Sequence, residues 1–201
     1  MATKTTTTII TGALLLAASL SLTACGTPPW AQVGRTGGSS PQPTSTGQIT
    51  TIINELAAGS TKHQLNAGNI GLDVTYFSTL NMGDWKADAD KPLSISMTAN
   101  LTNDEGQAVY LSRLGLSVSV YGPHGILTAP APVNDTSTVT PGYLVKAPYS
   151  YSQTFVLPAI DPTATYVKLS LTYELLLQTT PTSTAYAKQT ASDNLTIGLA
   201  P

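Results

Sequence analysis

From Ile70 onward, apolar and polar residues alternate with a period of two. Ile70, Leu72 and Val74 alternate with Gly71, Asp73 and Thr75. Leu93, Ile95, Met97, Ala99 and Leu101 alternate with Ser94, Ser96, Thr98, Asn100 and Thr102, the cleanest such run in the chain. Leu114, Leu116, Val118 and Val120 repeat the pattern and end at Gly122-Pro123-His124-Gly125. Tyr149, Tyr151, Gln153, Phe155 and Leu157 form a further run before Pro158, and Val167 to Leu175 another. A last run covers Asn194 to Leu199. Successive strand side chains point to opposite faces, so each run predicts a strand with one buried face. Short strands separated by Gly, Pro, Asn and Asp predict an all-β antiparallel sandwich over 69–201, one face of each sheet forming the core.

The segment before it is ambiguous. Within 49–68, Ile49, Ile52, Ile53 and Leu56 sit at helical spacing, yet Thr50-Thr51-Ile52-Ile53 is β-branched. The spacing predicts a short helix. Residues 26–48, "GTPPWAQVGRTGGSSPQPTSTGQ", are rich in Gly, Pro, Ser and Thr and read as a flexible linker, with Trp30 its one aromatic. Such a tether spans about 25–30 Å root-mean-square.

The first residues carry a different pattern. Lys4 is the only charge among the first thirty, and an apolar run from Ile9 to Ala18 follows it. A short positive end before roughly a dozen apolar residues is the layout of a secretory signal, over residues 1–24. A spanning helix needs about 20 apolar residues, and Ser19, Ser21 and Thr23 dilute the run first. Directly behind it lies Cys25, the single cysteine of the chain. An exported domain could use disulfides, but Cys25 has no partner to pair with. Stability must come from core packing.

Leu22-Thr23-Ala24-Cys25 resembles the lipobox of bacterial lipoproteins: an aliphatic residue, two small residues and a cysteine. The resemblance implies a diacylglycerol thioether on the Cys25 sulfur and cleavage that leaves Cys25 first. The alternative is a buried reduced thiol. One acyl chain holds a protein marginally and two hold it stably, which a diacylglyceryl group supplies. The implied location is the extracytoplasmic face of the cell membrane. The downstream stretches "PLSISMTANLTNDEGQAVYL" and "VTPGYLVKAPYSYSQTFVLP" resemble the small immunoglobulin-like domains found behind lipoprotein signals in Gram-positive bacteria. That likeness implies an immunoglobulin-like β-sandwich, and function does not follow from fold.

Charge narrows the partners. The chain has 9 Lys and Arg against 11 Asp and Glu, a net charge of −2. Arg35 and Arg113 are its two arginines, and the lysines are scattered singly. A nucleic-acid binder shows a basic patch, and no such patch is present. A polybasic stretch for anionic lipid is missing as well. Charged residues make up 10%, against about 25% in ordinary globular chains, and Ser and Thr take their place.

Candidate chemistry is sparse. His63 follows Lys62 in a polar segment and His124 lies in a Gly-Pro-His-Gly turn; both read as solvated. Neither a Gly-x-Ser-x-Gly elbow nor His-Glu-x-x-His occurs. Of the three glutamates, Glu105 lies in a predicted turn and Glu174 on an outward strand position. A carboxylate pair for glycoside hydrolysis is therefore not marked by the sequence. "GDWKADADKP" offers Asp84, Asp88 and Asp90 as a calcium candidate, since calcium takes closely spaced oxygen ligands. Lys86 and Lys91 offset that charge, and a solvated acidic loop is the competing reading. Tyr149 and Tyr151 share a strand face with Phe155 and read as core.

The expectation is a lipid-anchored, non-catalytic binding or scaffolding module of the cell envelope, requiring no cofactor. Its partner would be an envelope protein or a cell-wall polymer. An accessory subunit of a transport or envelope-assembly system is the alternative. A calcium-dependent domain or an enzyme is disfavoured by the counts above.

Overall fold

The computed structural model describes residues 52–201. The expected signal over 1–24, Cys25, and the expected linker over 26–48 with Trp30 lie outside the described residues. Ten strands form two sheets: β1 (Ser60–Ala67), β2 (Ile70–Phe77), β3 (Lys91–Leu101), β4 (Val109–Gly122), β5 (Gly125–Leu127), β6 (Val133–Thr136), β7 (Tyr143–Leu144), β8 (Tyr151–Leu157), β9 (Tyr166–Gln178) and β10 (Tyr186–Gly198). One sheet has the order β1-β2-β3-β8. The other runs β10-β9-β4, with β5, β6 and β7 all pairing to the far side of β4. All strand pairs are antiparallel.

The two sheets pack as a β-sandwich. The strands β2, β3 and β8 stand where an immunoglobulin domain has A, B and E, and β4, β9 and β10 where it has C, F and G. In an immunoglobulin constant domain a further strand, D, pairs with E. Here the corresponding chain, β5 to β7, goes to β4 instead, so β8 ends its sheet.

The core follows from the alternation. Leu72, Val74, Leu93, Ile95, Met97, Leu114, Leu116, Leu169, Leu171, Leu195 and Ile197 are all buried, contributed by the inner faces of both sheets. Fully burying a side chain of this size stabilises by about 1.5–3 kcal/mol, before the entropy of ordering it. Trp85 is also fully buried, at one end of the sandwich. Its indole N–H donates to Ser78 Oγ at 2.9 Å, and Ser78 Oγ–H donates to the Pro92 carbonyl at 2.7 Å.

Two expectations change. The segment read as a short helix is a turn followed by β1, and no α-helix occurs among the described residues. Ile52, Ile53 and Leu56 precede β1, which pairs with β2 from Ser60–Phe77 to Ala67–Ile70. Before it the Glu55 N–H donates to the Thr196 carbonyl and Leu56 is buried in the core, contacts that outweigh weak local helical spacing. Tyr149 is not core. It precedes β8, follows Pro148 and is 58% exposed, whereas Tyr151 and Phe155 are buried as expected.

Candidate functional site

The acidic loop contains a cation, and it is the chain's own. Lys91, at the start of β3, is 1% exposed. Its ammonium group donates to the carbonyls of Lys86, Ala87, Ala89 and Pro158 at 2.5–3.3 Å. Burial lowers the Lys91 pKa from its ordinary value, and Asp90 and then Asp88 oppose that shift. The two aspartates are thus explained as counter-charges to a desolvated ammonium. Asp84 belongs to a separate 3-10 turn, Met82–Asp84, capped by Asn81. Asp84, Asp88 and Asp90 are each exposed, and no group of three or more His, Cys, Asp or Glu among the described residues could hold a metal ion. The carbonyls that could have ligated calcium face Lys91 instead.

His63 is only partly solvated. It is half-buried on the inner face of β1, and its Nδ1 lies 2.7 Å from Asp193 Oδ2 on β10. Its Nε2 lies 3.5 Å from Glu55 Oε1. The Tyr76 hydroxyl donates to the same Asp193 oxygen at 2.6 Å and lies 2.9 Å from the Tyr173 hydroxyl. Tyr76 and Tyr173 are fully buried, and burial raises the pKa of both phenols. Glu55 also accepts the backbone N–H of Thr196 through Oε2 and donates its own N–H to the Thr196 carbonyl at 3.0 Å. Both imidazole nitrogens are engaged, in a chain of contacts that closes the β1/β10 seam. His124, by contrast, is exposed in its turn.

The opposite seam is built from the same chemistry. Tyr151 on β8 donates its hydroxyl to Asp135 Oδ2 on β6 at 2.5 Å. Burial raises the Tyr151 pKa, and the hydrogen bond to Asp135 adds to it. The Tyr143 ring lies 5.6 Å from that of Tyr151. Here the seam is open. A cleft of about 640 Å³ lies between β8 and the β6–β7 segment, lined by Asp135, Val139, Tyr143, Leu144, Tyr151 and Gln153 among others. Val139 is 55% exposed at its wall.

A second groove, of about 240 Å³, crosses the outer face of the other sheet. Its floor includes Gly115, where a Cβ would come within 3.0 Å of Asn134 Oδ1. That absence of a side chain lets Asn134 lie across the floor and accept from Arg113 Nη2 at 2.7 Å. Glu174, on the outward position the alternation predicts, takes Arg113 at 3.5 Å and Lys188 at 2.7 Å. Ser117, Ser170 and Thr172 supply hydroxyls. Glu174 is thus shared by two cations, so the groove is polar and its charges are partly offset.

Neither seam is visible in the sequence, because each joins residues far apart in the chain with no local motif. No protein-family model matches the chain, and no curated protein matches it.

Proposed function

We propose that the protein is a lipid-anchored, extracytoplasmic binding or scaffolding module of the cell envelope that acts without catalysis. The observation that carries this reading is the order of parts: a charged end, an apolar run, Leu22-Thr23-Ala24-Cys25, a Gly/Pro/Ser/Thr linker and then the sandwich. Lipid at Cys25 would hold the chain at the membrane, and the linker would carry the domain clear of the headgroups.

The geometry favours binding over chemistry. General acid–base work needs a titratable group that can reach a substrate. The Nδ1 of His63 is taken by Asp193 and its Nε2 faces Glu55, leaving 22% of the side chain exposed on a groove beside Lys62, Gln64 and Asp73, and Tyr76 and Tyr173 are buried behind it. The surface instead offers a polar groove and an open cleft beside a sheet edge. Replacing Cys25 with Ala tests the anchor. The variant is expected to remain unprocessed or to appear in the medium, and a variant that is processed and fractionates with membranes like the parent refutes it.

A further inference from the structure

Every sheet has edges, and an edge strand carries a row of backbone N–H and C=O groups ready to pair with another chain. Three edges of this sandwich are managed. The far side of β4 is covered by β5, β6 and β7. The edge of β10 carries Lys188 and Asp193 and is bonded at its end by Glu55 and by Asn54, whose side chain donates to the Gly198 carbonyl at 3.4 Å. Strand β1 carries Lys62 and packs beside β10.

Strand β8 is different. Its sequence, Tyr-Ser-Gln-Thr-Phe-Val-Leu, has no charge, no proline and no glycine. It ends its sheet, and among the described residues its outer edge makes no hydrogen bond to another backbone; the Thr154 N–H is met only by the neighbouring Gln153 Oε1, at 3.0 Å. Ser152, Thr154 and Val156 are exposed on its outer face. Pro158, which lacks an N–H, follows β8 directly and Pro148 stands three residues before it; the seven strand residues themselves offer about 23 Å of edge at strand rise. An uncovered, uncharged edge of this kind is a template for strand addition.

The cleft says what fits there. Its position beside β8 is where a neighbouring strand would lie, and its walls are Tyr143, Tyr151 and Val139. Asp135 is the one charged residue among those lining it. Oδ2 accepts from Tyr151, and Oδ1 has no hydrogen-bond partner among the described residues. A carboxylate flanked by two tyrosine rings suits a cationic side chain, through a charge-assisted hydrogen bond and the ring faces. A second copy pairing through β8 would bring no lysine or arginine to Asp135, because that strand has none.

We infer that the open edge of β8 and its adjoining cleft bind an extended, basic protein segment by strand addition, with Asp135 receiving a lysine or arginine side chain. Main-chain pairing supplies affinity in this mode, and pockets for alternate side chains supply specificity. The inference rests on the binding half of the reading above, not on the anchor.

The test uses the full chain in detergent micelles and a random seven-residue peptide library. The expected result is enrichment of sequences in which Lys or Arg alternates with β-branched residues. A synthetic peptide of the enriched sequence should slow hydrogen exchange at the β8 amides, and Asp135→Asn should weaken its binding about tenfold or more. The side-chain amide introduced by that substitution can still accept from Tyr151, so an unchanged melting temperature checks that the fold is intact. No enrichment, enrichment without basic residues, protection outside β8, or equal binding to Asp135→Asn each overturns the proposal. So does a dimer whose β8 amides are protected without peptide, which would assign the edge to a second copy. Processing and lipidation at Cys25 are read independently, so failure here is distinguishable from failure of the anchor.

Discussion

Tyr76 and Asp193 join the two sheets: the phenol on β2 donates to the carboxylate on β10 at 2.6 Å. Tyr151 and Asp135 repeat the arrangement at the other seam, between β8 and β6. Both seams of the sandwich are therefore pinned by a buried phenol on one sheet and a carboxylate on the other. The first seam is bridged by His63, which contacts Asp193 and lies 3.5 Å from Glu55, and the second opens into the cleft beside β8.

Asp193→Ala leaves the Tyr76 hydroxyl with Tyr173 alone and removes the partner of His63 Nδ1. A buried donor left short of an acceptor costs about 1–3 kcal/mol; two groups are affected, but Tyr76 keeps Tyr173 and His63 is partly exposed, so a loss of roughly 2–4 kcal/mol is expected in chemical denaturation. Asp193→Asn keeps an acceptor and should cost about half as much. Equal stability of Asp193→Ala and the parent would show that the seam contributes nothing.

Alkaline pH reads the same seams. The phenols of Tyr76, Tyr173 and Tyr151 are all raised by burial first. For an acid whose native pKa is raised, the native state keeps its proton where the unfolded chain has lost it. The stabilisation is whole below the unfolded value of 10.0 and falls as pH rises above it. Phenolate absorbance should show three of the nine tyrosines ionising only as the protein unfolds. Nine independent ionisations near the ordinary value would contradict the buried geometry.

Much of the fold is legible in the sequence, and the reasons for the rest are physical. Strand β3 stands out because Leu93, Ile95, Met97 and Ala99 all face one core. Strand β1 does not, because its inner face is Thr61, His63, Leu65 and Ala67, of which only Leu65 and Ala67 reach the core while His63 meets a polar seam. The first half of β10 is hidden for the same reason, since Gln189 and Asp193 occupy inward positions there. Strand β4 begins at Val109, before the visible alternation, because a register shift between Leu111 and Arg113 breaks the period. The three aspartates of the 84–90 loop are visible, but the ammonium beside them is not, since Lys91 reads in sequence as one more surface charge.

Lys91→Met tests that loop. It strips the donor from four carbonyls, and a loss of about 3 kcal/mol or more is expected in denaturant melts. Calcium should leave the melting temperature of the parent unchanged. A rise reversed by chelator would show that the carboxylates gather around a metal after all.

Acid acts at the rim of the polar groove. A hydrogen bond from Lys188 lowers the Glu174 pKa below its ordinary value of 4.5, with Arg113 adding to it. Its contribution is present above that value and lost as pH falls through the depressed native one. Because the pair is exposed, Lys188→Ala should change stability at neutral pH by less than about 0.5 kcal/mol and flatten the acid limb of the stability curve. An effect of several kcal/mol would mean the groove charges are structural.

Intact-mass measurement of the protein extracted from membranes of its expressing host tests the central claim most directly. The account predicts a chain that begins at Cys25 and carries the added mass of a diacylglyceryl group on that residue. An unmodified Cys25, or a chain that still begins at Met1, would contradict it.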